Sequence, residues 1–205
     1  MLGPLAPLTE IWPGGREIFR CHDSRFGATE FNPGSGHGRF HPFIAASGRA
    51  VPTLYGASNL DGSLMESVFH NVPLRGPDRA IRHSALRPMM LSTLGATRDL
   101  TLVQLHGHGL GRLGVSREEL IDCAAREYPR TVAWAAALHA QLRGADGLVW
   151  VSRRFDTSFS LVLFGDRVER GDLEVVNPPV PLYLGAGFGE IQRVAGLAGV
   201  ALLVE

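Results

Sequence analysis

Six positions carry side chains that, gathered in one place, could act on a charged small molecule. They are Arg20 in "IFRCHD", Arg39 in "GRFHP", Tyr55 and Glu66 in "LYGASNLDGSLMESVFHN", and Ser152 with Arg153 in "VSRRFD". Guanidinium groups fork onto phosphate oxygens, and a phenol ring offers an apolar face with a polar tip. A carboxylate stabilises developing positive charge and orients a hydroxyl. Arg20, Arg39, Tyr55 and Glu66 together suit a ligand with a pyrophosphate, a flat ring and a ribose. Each alone also has a plain reading, as a solvated arginine, a core tyrosine or a surface acid. Ser152 follows the apolar run "GLVWV" but lacks a G-x-S-x-G elbow, so it is a weak nucleophile candidate. Arg153 and Arg154 beside it are its more telling neighbours.

Glu66 is the pivotal case. At about 100° per residue, Leu64, Met65, Val68 and Phe69 share one broad helical face, while Glu66, Ser67 and His70 fall on the other. Periodicity alone makes Glu66 an exposed acid paired with His70 at i,i+4. Yet the polar face need not meet water; it could meet a cleft.

Other motifs weigh less. Gly109, Gly111 and Gly114 spell G-x-G-x-x-G, but no acidic residue follows about twenty positions later and no second βαβ unit is visible. His106 and His108 form H-x-H without an evident third ligand, so no metal is expected. Cys21 and Cys123 are the only cysteines. Two thiols make neither a disulfide framework nor a four-thiolate site, and both read as ordinary buried thiols.

These side chains must be positioned by a chain of 205 residues, a length that suits one domain. With 45% hydrophobic and 20% charged residues it can bury a core and is not a disordered sequence. Apolar runs are too short to cross a bilayer, and the N-terminus has no basic segment before an apolar one. The expectation is a soluble, cytoplasmic protein. Twenty basic residues balance twenty acidic ones, so bulk charge does not point to nucleic acid. All twenty basic residues are arginines, which fits a GC-rich coding genome and also fits bidentate phosphate contacts.

Residues 1–15, rich in Pro and Gly, read as a surface arm before a domain over 16–205. Strands are expected over 17–22, 53–56, 100–105, 147–152, 159–165 and 173–177. A helix capped by Ser58 or Asn59 is expected to run to about 71. Ser116 and Glu119 match a capping box opening a helix that stops near 128, and another helix spans 130–143. The tail reads as a helix and a final strand. The long stretch 23–50 is anchored by Phe26, Phe31, Phe40, Phe43 and Ile44, so it reads as a functional loop. The irregular mixture predicts an α+β fold: a single domain of mixed and antiparallel sheets with flanking helices.

At these residues the sequence resembles the RES domain family, named for its Arg, Glu and Ser. The matching stretches are "IFRCHD", "FNPGSGHGRFHP", "PTLYGASNLDGSLMESVFHNV" and "GADGLVWVSRRFD", in the family's order, over about 18–164. By position the family's Arg is Arg20, its Glu is Glu66 and its Ser is Ser152. Arg39 falls at the second arginine and Tyr55 at the strand tyrosine. Phe19 stands where Tyr is frequent, and "GRFHP" replaces the frequent Gly-Arg-Trp-Asn form.

The resemblance implies a fold similar to ADP-ribosyltransferase toxins. It implies a bacterial toxin of a toxin–antitoxin pair, with NAD as substrate and no resident cofactor. Family members cleave the nicotinamide–ribose bond, with inorganic phosphate (NAD phosphorylase) or water (NAD glycohydrolase) as acceptor. Mono-ADP-ribosylation of a protein is proposed for others. The implied partner is an Xre-like helix-turn-helix antitoxin with a segment that blocks the active site. The roles that follow are a catalytic carboxylate for Glu66 and a pyrophosphate and ribose grip for Arg20 and Arg39. Tyr55 would stack on nicotinamide, Ser152 would bond the ribose or carboxamide, and Arg153 would serve phosphate. A domain of the same fold that binds a ligand or partner without chemistry is the reading from another class.

Overall fold

In the computed structural model of the chain, which describes residues 3–204, ten strands and five α-helices alternate irregularly along the sequence. The strands are β1 Thr9–Trp12, β2 Glu17–Asp23, β3 Thr53–Ala57, β4 Ala80–Arg82, β5 Met89–Ala96, β6 Leu100–Gln104, β7 Gly147–Val151, β8 Phe159–Phe164, β9 Leu173–Pro181 and β10 Ala201–Leu203. The helices are α1 Leu60–Met65, α2 His108–Leu113, α3 Arg117–Leu120, α4 Tyr128–Gln141 and α5 Gly185–Ala198. Eight strands form one sheet in the order β1-β6-β7-β8-β3-β2-β5-β9, and β10 pairs with β4 in a second, parallel sheet. In the large sheet β6 and β7 run parallel and the other neighbours antiparallel. This is the α+β architecture that the irregular element order predicts.

The centre of the sheet holds the feature that matters most for function. β2 makes seven register pairs with β5, yet meets β3 only at Phe19 opposite Ala57. The two strands thus join at one point and leave the rest of that seam open. Apolar clusters pack around the two halves. Trp12, Ile18, Leu54, Leu94, Leu100 and Leu161 fill one layer. Phe40, Phe43, Leu148, Trp150 and Phe164 pack with Ala135 and Leu138 of α4. Leu64 and Phe69 pack with Leu91, Leu182, Ile191 and Val194 beside α5.

Several expected elements differ. Thr9–Trp12 lies within the expected arm but pairs with β6, and Trp12 is buried. Edge pairing supplies this strand's backbone partners, which Pro- and Gly-rich flanks conceal. The connection before residue 100 contains β5, the sheet's link between β2 and β9. The helix expected to reach 71 closes at Met65, where the chain turns under its own side chains. The capping box at Ser116 and Glu119 forms, but its helix ends at Leu120 and α4 opens at Tyr128. The G-x-G-x-x-G segment is α2 and its terminus: Gly114 adopts φ 64° at the C-cap, a glycine stop.

Candidate active site

Glu66 owes its place to local packing. Asn59 caps α1 by accepting the Gly62 N–H at 2.8 Å. A side chain at Gly62 would place its Cβ 2.0 Å from Ser158 Oγ, so only glycine lets α1 seat against that turn. Leu64 and Phe69 are buried to 0% and 1% exposure. Each such burial contributes about 1.5–3 kcal/mol. Glu66 is the C-cap of α1 and donates its N–H to Gly62 O at 2.9 Å.

Three donors fix the carboxylate. Glu66 Oε1 accepts from Ser152 Oγ at 2.5 Å, from Arg153 N at 2.6 Å and from Arg154 N at 3.1 Å. Among the described residues no donor reaches Oε2. The donors belong to a turn at the end of β7. Ser152 Oγ also accepts from Phe155 N at 2.9 Å and Arg154 N at 3.1 Å, which holds that turn closed. Arginines tie the turn to both sides. Arg117 donates to Val151 O and Ser152 O at 3.2 and 3.1 Å. Arg153 Nη1 donates to Cys123 O at 3.1 Å. Arg154 Nη2 donates to Phe69 O at 3.0 Å and to Val72 O.

Glu66 lines a cleft of about 470 Å³ at the seam between β2 and β3, a volume suited to a small-molecule ligand. Cys21 reaches it from β2; Tyr55, Gly56 and Ala57 reach it from β3. Ser67 and His70 line it with Glu66, so the polar face of the "MESVFH" segment meets a cleft. His70 pairs with Asn71 rather than with Glu66. Among the described residues Glu66 is the one carboxylate in the lining, and Arg39 the one guanidinium.

Arg39 is 6% exposed and has no carboxylate partner among the described residues. Its Nη1 donates to Cys123 Sγ at 3.2 Å and to Leu120 O at 3.5 Å, and its guanidinium sits 5.2 Å from the Tyr128 ring centroid. A buried cation without an anion is poised to accept an anionic ligand.

Tyr55 places its ring in the cleft, edge-on to Trp150 at 6.3 Å. Its hydroxyl accepts from Phe40 N at 3.0 Å and meets His41 Nδ1 at 3.2 Å. Burial pushes the phenol well up, so it stays protonated. Burial likewise pushes the Cys21 thiol up, against the Ser63 and Ser67 hydroxyls.

The six residues singled out in the sequence therefore divide. Glu66, Arg39 and Tyr55 line the cleft together. Ser152 is 1% exposed, lies outside the cleft lining and spends its hydroxyl on Glu66 and the turn. Arg153 reaches Glu66 through its backbone and Cys123 through its side chain. Arg20 stands apart. On β2 it alternates with Cys21, which faces the cleft. Its guanidinium donates to the carbonyls of Gly27, Ala28 and Glu30, at 3.3, 2.5 and 2.8 Å. Burial lowers it to about 10, offset in part by the Glu30 charge, so it remains a cation at neutral pH. Here Arg20 organises the loop after β2 and is not among the residues that line the cleft.

Sequence reasoning passed over His41, Tyr128 and Trp150 in the lining. Only "GRFHP" hinted at His41. Tyr128 and Trp150 are brought in by distant elements, with no local signal. Among the described residues no group of His, Cys, Asp or Glu is arranged to hold a metal ion, and His106 is engaged by Glu10 at 2.8 Å.

The family described as the RES domain matches residues 17–184. No curated protein matches the chain. A chain from the crystal structure of the M. tuberculosis MbcT–MbcA toxin–antitoxin complex superposes with a TM-score of 0.63 at 15% identity, over 91% of this chain and 92% of that one. At that identity the likeness is one of fold.

Proposed function

The chain belongs to the RES domain family, and from that premise we propose that it is a toxin enzyme that degrades NAD by cleaving the nicotinamide–ribose bond. Phosphate or water is the acceptor. The observation that carries this reading is a carboxylate, fixed through one oxygen by three donors, in a cleft whose one guanidinium has no carboxylate partner, both counted among the described residues.

The chemistry asks little of a protein acid. The ribose C1′–nitrogen bond breaks with its electron pair leaving on nicotinamide. The pyridinium departs as a neutral ring, so no proton is needed. Positive charge builds on the ribose in an oxocarbenium-like state, as in glycoside hydrolysis. Glu66, its Oε1 held by Ser152 and the turn, turns Oε2 to that charge and to a ribose hydroxyl. Phosphate attacks C1′ to give ADP-ribose-1″-phosphate, or water attacks and releases a proton to give ADP-ribose. Arg39 holds the anionic part of the substrate, and Tyr55 with Trp150 supplies flat apolar walls for a ring. Ser152, Arg153 and Arg154 position Glu66, and Arg20 supports the loop that carries Arg39.

We extend to this chain an antitoxin partner of the Xre-like helix-turn-helix kind, and a cytoplasmic site of action where NAD is met. The fold neighbour was solved as a toxin–antitoxin complex, which supports a protein partner.

The test is incubation of purified protein with NAD, with and without phosphate, and separation of the products. Nicotinamide together with ADP-ribose-1″-phosphate or ADP-ribose is the expected result. Label transferred to a protein band would point to ADP-ribosylation instead. NAD left intact would overturn the enzyme reading.

A further inference from the structure

We propose that His41 is a positioning residue: with the Tyr55 hydroxyl it latches the loop that presents Arg39 to the substrate's anionic part. This rests on the reading of the cleft as an NAD site. Arg39 sits in the irregular segment between β2 and β3, so no ladder of backbone bonds holds it. What holds it is a closed run of polar contacts that begins and ends on β3.

The run starts at Asn32, whose backbone exchanges hydrogen bonds with Thr53 at 2.8 and 2.9 Å. The Asn32 side chain closes a turn, accepting from Ser35 N at 2.7 Å and donating to Ser35 O at 2.8 Å. Ser35 O also meets His41 Nε2 at 3.4 Å. A carbonyl can only accept, so Nε2 carries the ring proton of the neutral imidazole. His41 Nδ1 is then an acceptor and takes the Tyr55 O–H at 3.2 Å. The Tyr55 oxygen in turn accepts the Phe40 N–H at 3.0 Å, one residue beyond Arg39. Each donor has an acceptor, and one tautomer satisfies the whole run. Thr131 Oγ1 secures the other side by donating to Arg39 O.

The residue before Arg39 fits the same purpose. Gly38 and His41 exchange backbone hydrogen bonds, and a Cβ on Gly38 would fall 2.4 Å from His41 Cε1. Glycine there leaves room for the imidazole beneath the loop. The Arg39 charge acts on the Tyr55 hydroxyl, and the Ser35 carbonyl favours a positive charge at His41, which His37 opposes. Burial, the largest influence on His41, acts in the same direction as His37, so the neutral tautomer is the working form.

The experiment compares wild type, His41→Phe, His41→Gln and Tyr55→Phe in NAD turnover and in direct NAD binding, with thermal unfolding of each. His41→Phe keeps a ring and loses the acceptor; its KM and Kd for NAD should rise about tenfold or more, with kcat changed less than threefold. His41→Gln retains an acceptor and should recover much of the loss. Tyr55→Phe combined with His41→Phe should cost no more than the larger single effect, because both break one latch. Unchanged KM in His41→Phe, or a loss in kcat alone, overturns the latch while wild-type turnover leaves the NAD reading intact. If wild type neither binds nor consumes NAD, the failure lies in the NAD reading. If His41→Phe unfolds, the binding constant of His41→Gln against that of Tyr55→Phe decides: equal losses in both overturn the acceptor's role.

Discussion

At the residue scale, the structure separates groups that line the cleft from groups that hold those groups. Glu66→Gln keeps the shape of the side chain and removes its charge. NAD should still bind, while turnover falls by about 10²–10³ or more, the loss seen when a preorganised electrostatic contact is removed. Ser152→Ala takes away the hydroxyl that donates to Oε1 and accepts two backbone N–H groups. Its kcat should fall with KM nearly constant, because binding contacts are untouched; steady-state kinetics in which KM alone moves would place Ser152 on the ligand instead. Arg39→Ala should weaken NAD binding by about tenfold or more, in line with the roughly 1.5–3 kcal/mol of a hydrogen bond to a charged group. Arg25 is an exposed arginine paired with Asp23 at 3.0 Å, and Arg25→Ala is the control. Equal titration curves for the two variants would count against Arg39.

At the element scale, α1 is a short wedge that fixes one terminal side chain. Leu64→Ala leaves a cavity under it and should cost about 2–5 kcal/mol of stability. It should also lower kcat at temperatures where the protein remains folded, since Glu66 loses its support. Chemical unfolding and kinetics on the same sample check both parts. The sequence reveals much of this element and little of what surrounds it. The amphipathic pattern of residues 64–70 separates a core face from a cleft face, and Ser67 and His70 do line the cleft with Glu66. It also overstates the helix, because Ser67 and the turn residues return bonds to Ser63 and Leu64 and close the chain early. The link from Ser152 to Glu66 spans 86 residues and leaves no periodic trace. Arg20 shows the converse: its residue type suits a phosphate, but its strand register points it at the carbonyls of its own loop. β1 and β5 escaped notice because strands of this kind are defined by partners far away in the chain.

At the scale of the whole molecule, an eight-stranded sheet is joined across its middle by one residue pair, and the opening beside that pair is the cleft. Its stability carries a pH signature. Burial lowers His22, His41 and His139 below the ordinary histidine value of 6.5. Below that value the unfolded chain binds more protons than the folded one, so the stabilisation is complete above about 6.5 and declines as pH falls. Urea unfolding should therefore give a lower midpoint at about pH 5.5 than at about pH 7.5. An unchanged or higher midpoint at the lower pH would contradict the burial of these rings as neutral groups. Fold alone stops at the RES family; the cleft, with one fixed carboxylate and, among the described residues, one guanidinium without a carboxylate partner, is what makes a specific reaction testable. The most direct measurement is nicotinamide release from NAD by purified wild type and Glu66→Gln, side by side, in phosphate buffer. Steady release by wild type with release by Glu66→Gln reduced at least about a hundredfold, at similar NAD affinity, is the outcome expected of a preorganised carboxylate. Equal release by the two proteins, or none by wild type, would contradict the assignment of Glu66 as the group around which this cleft is built.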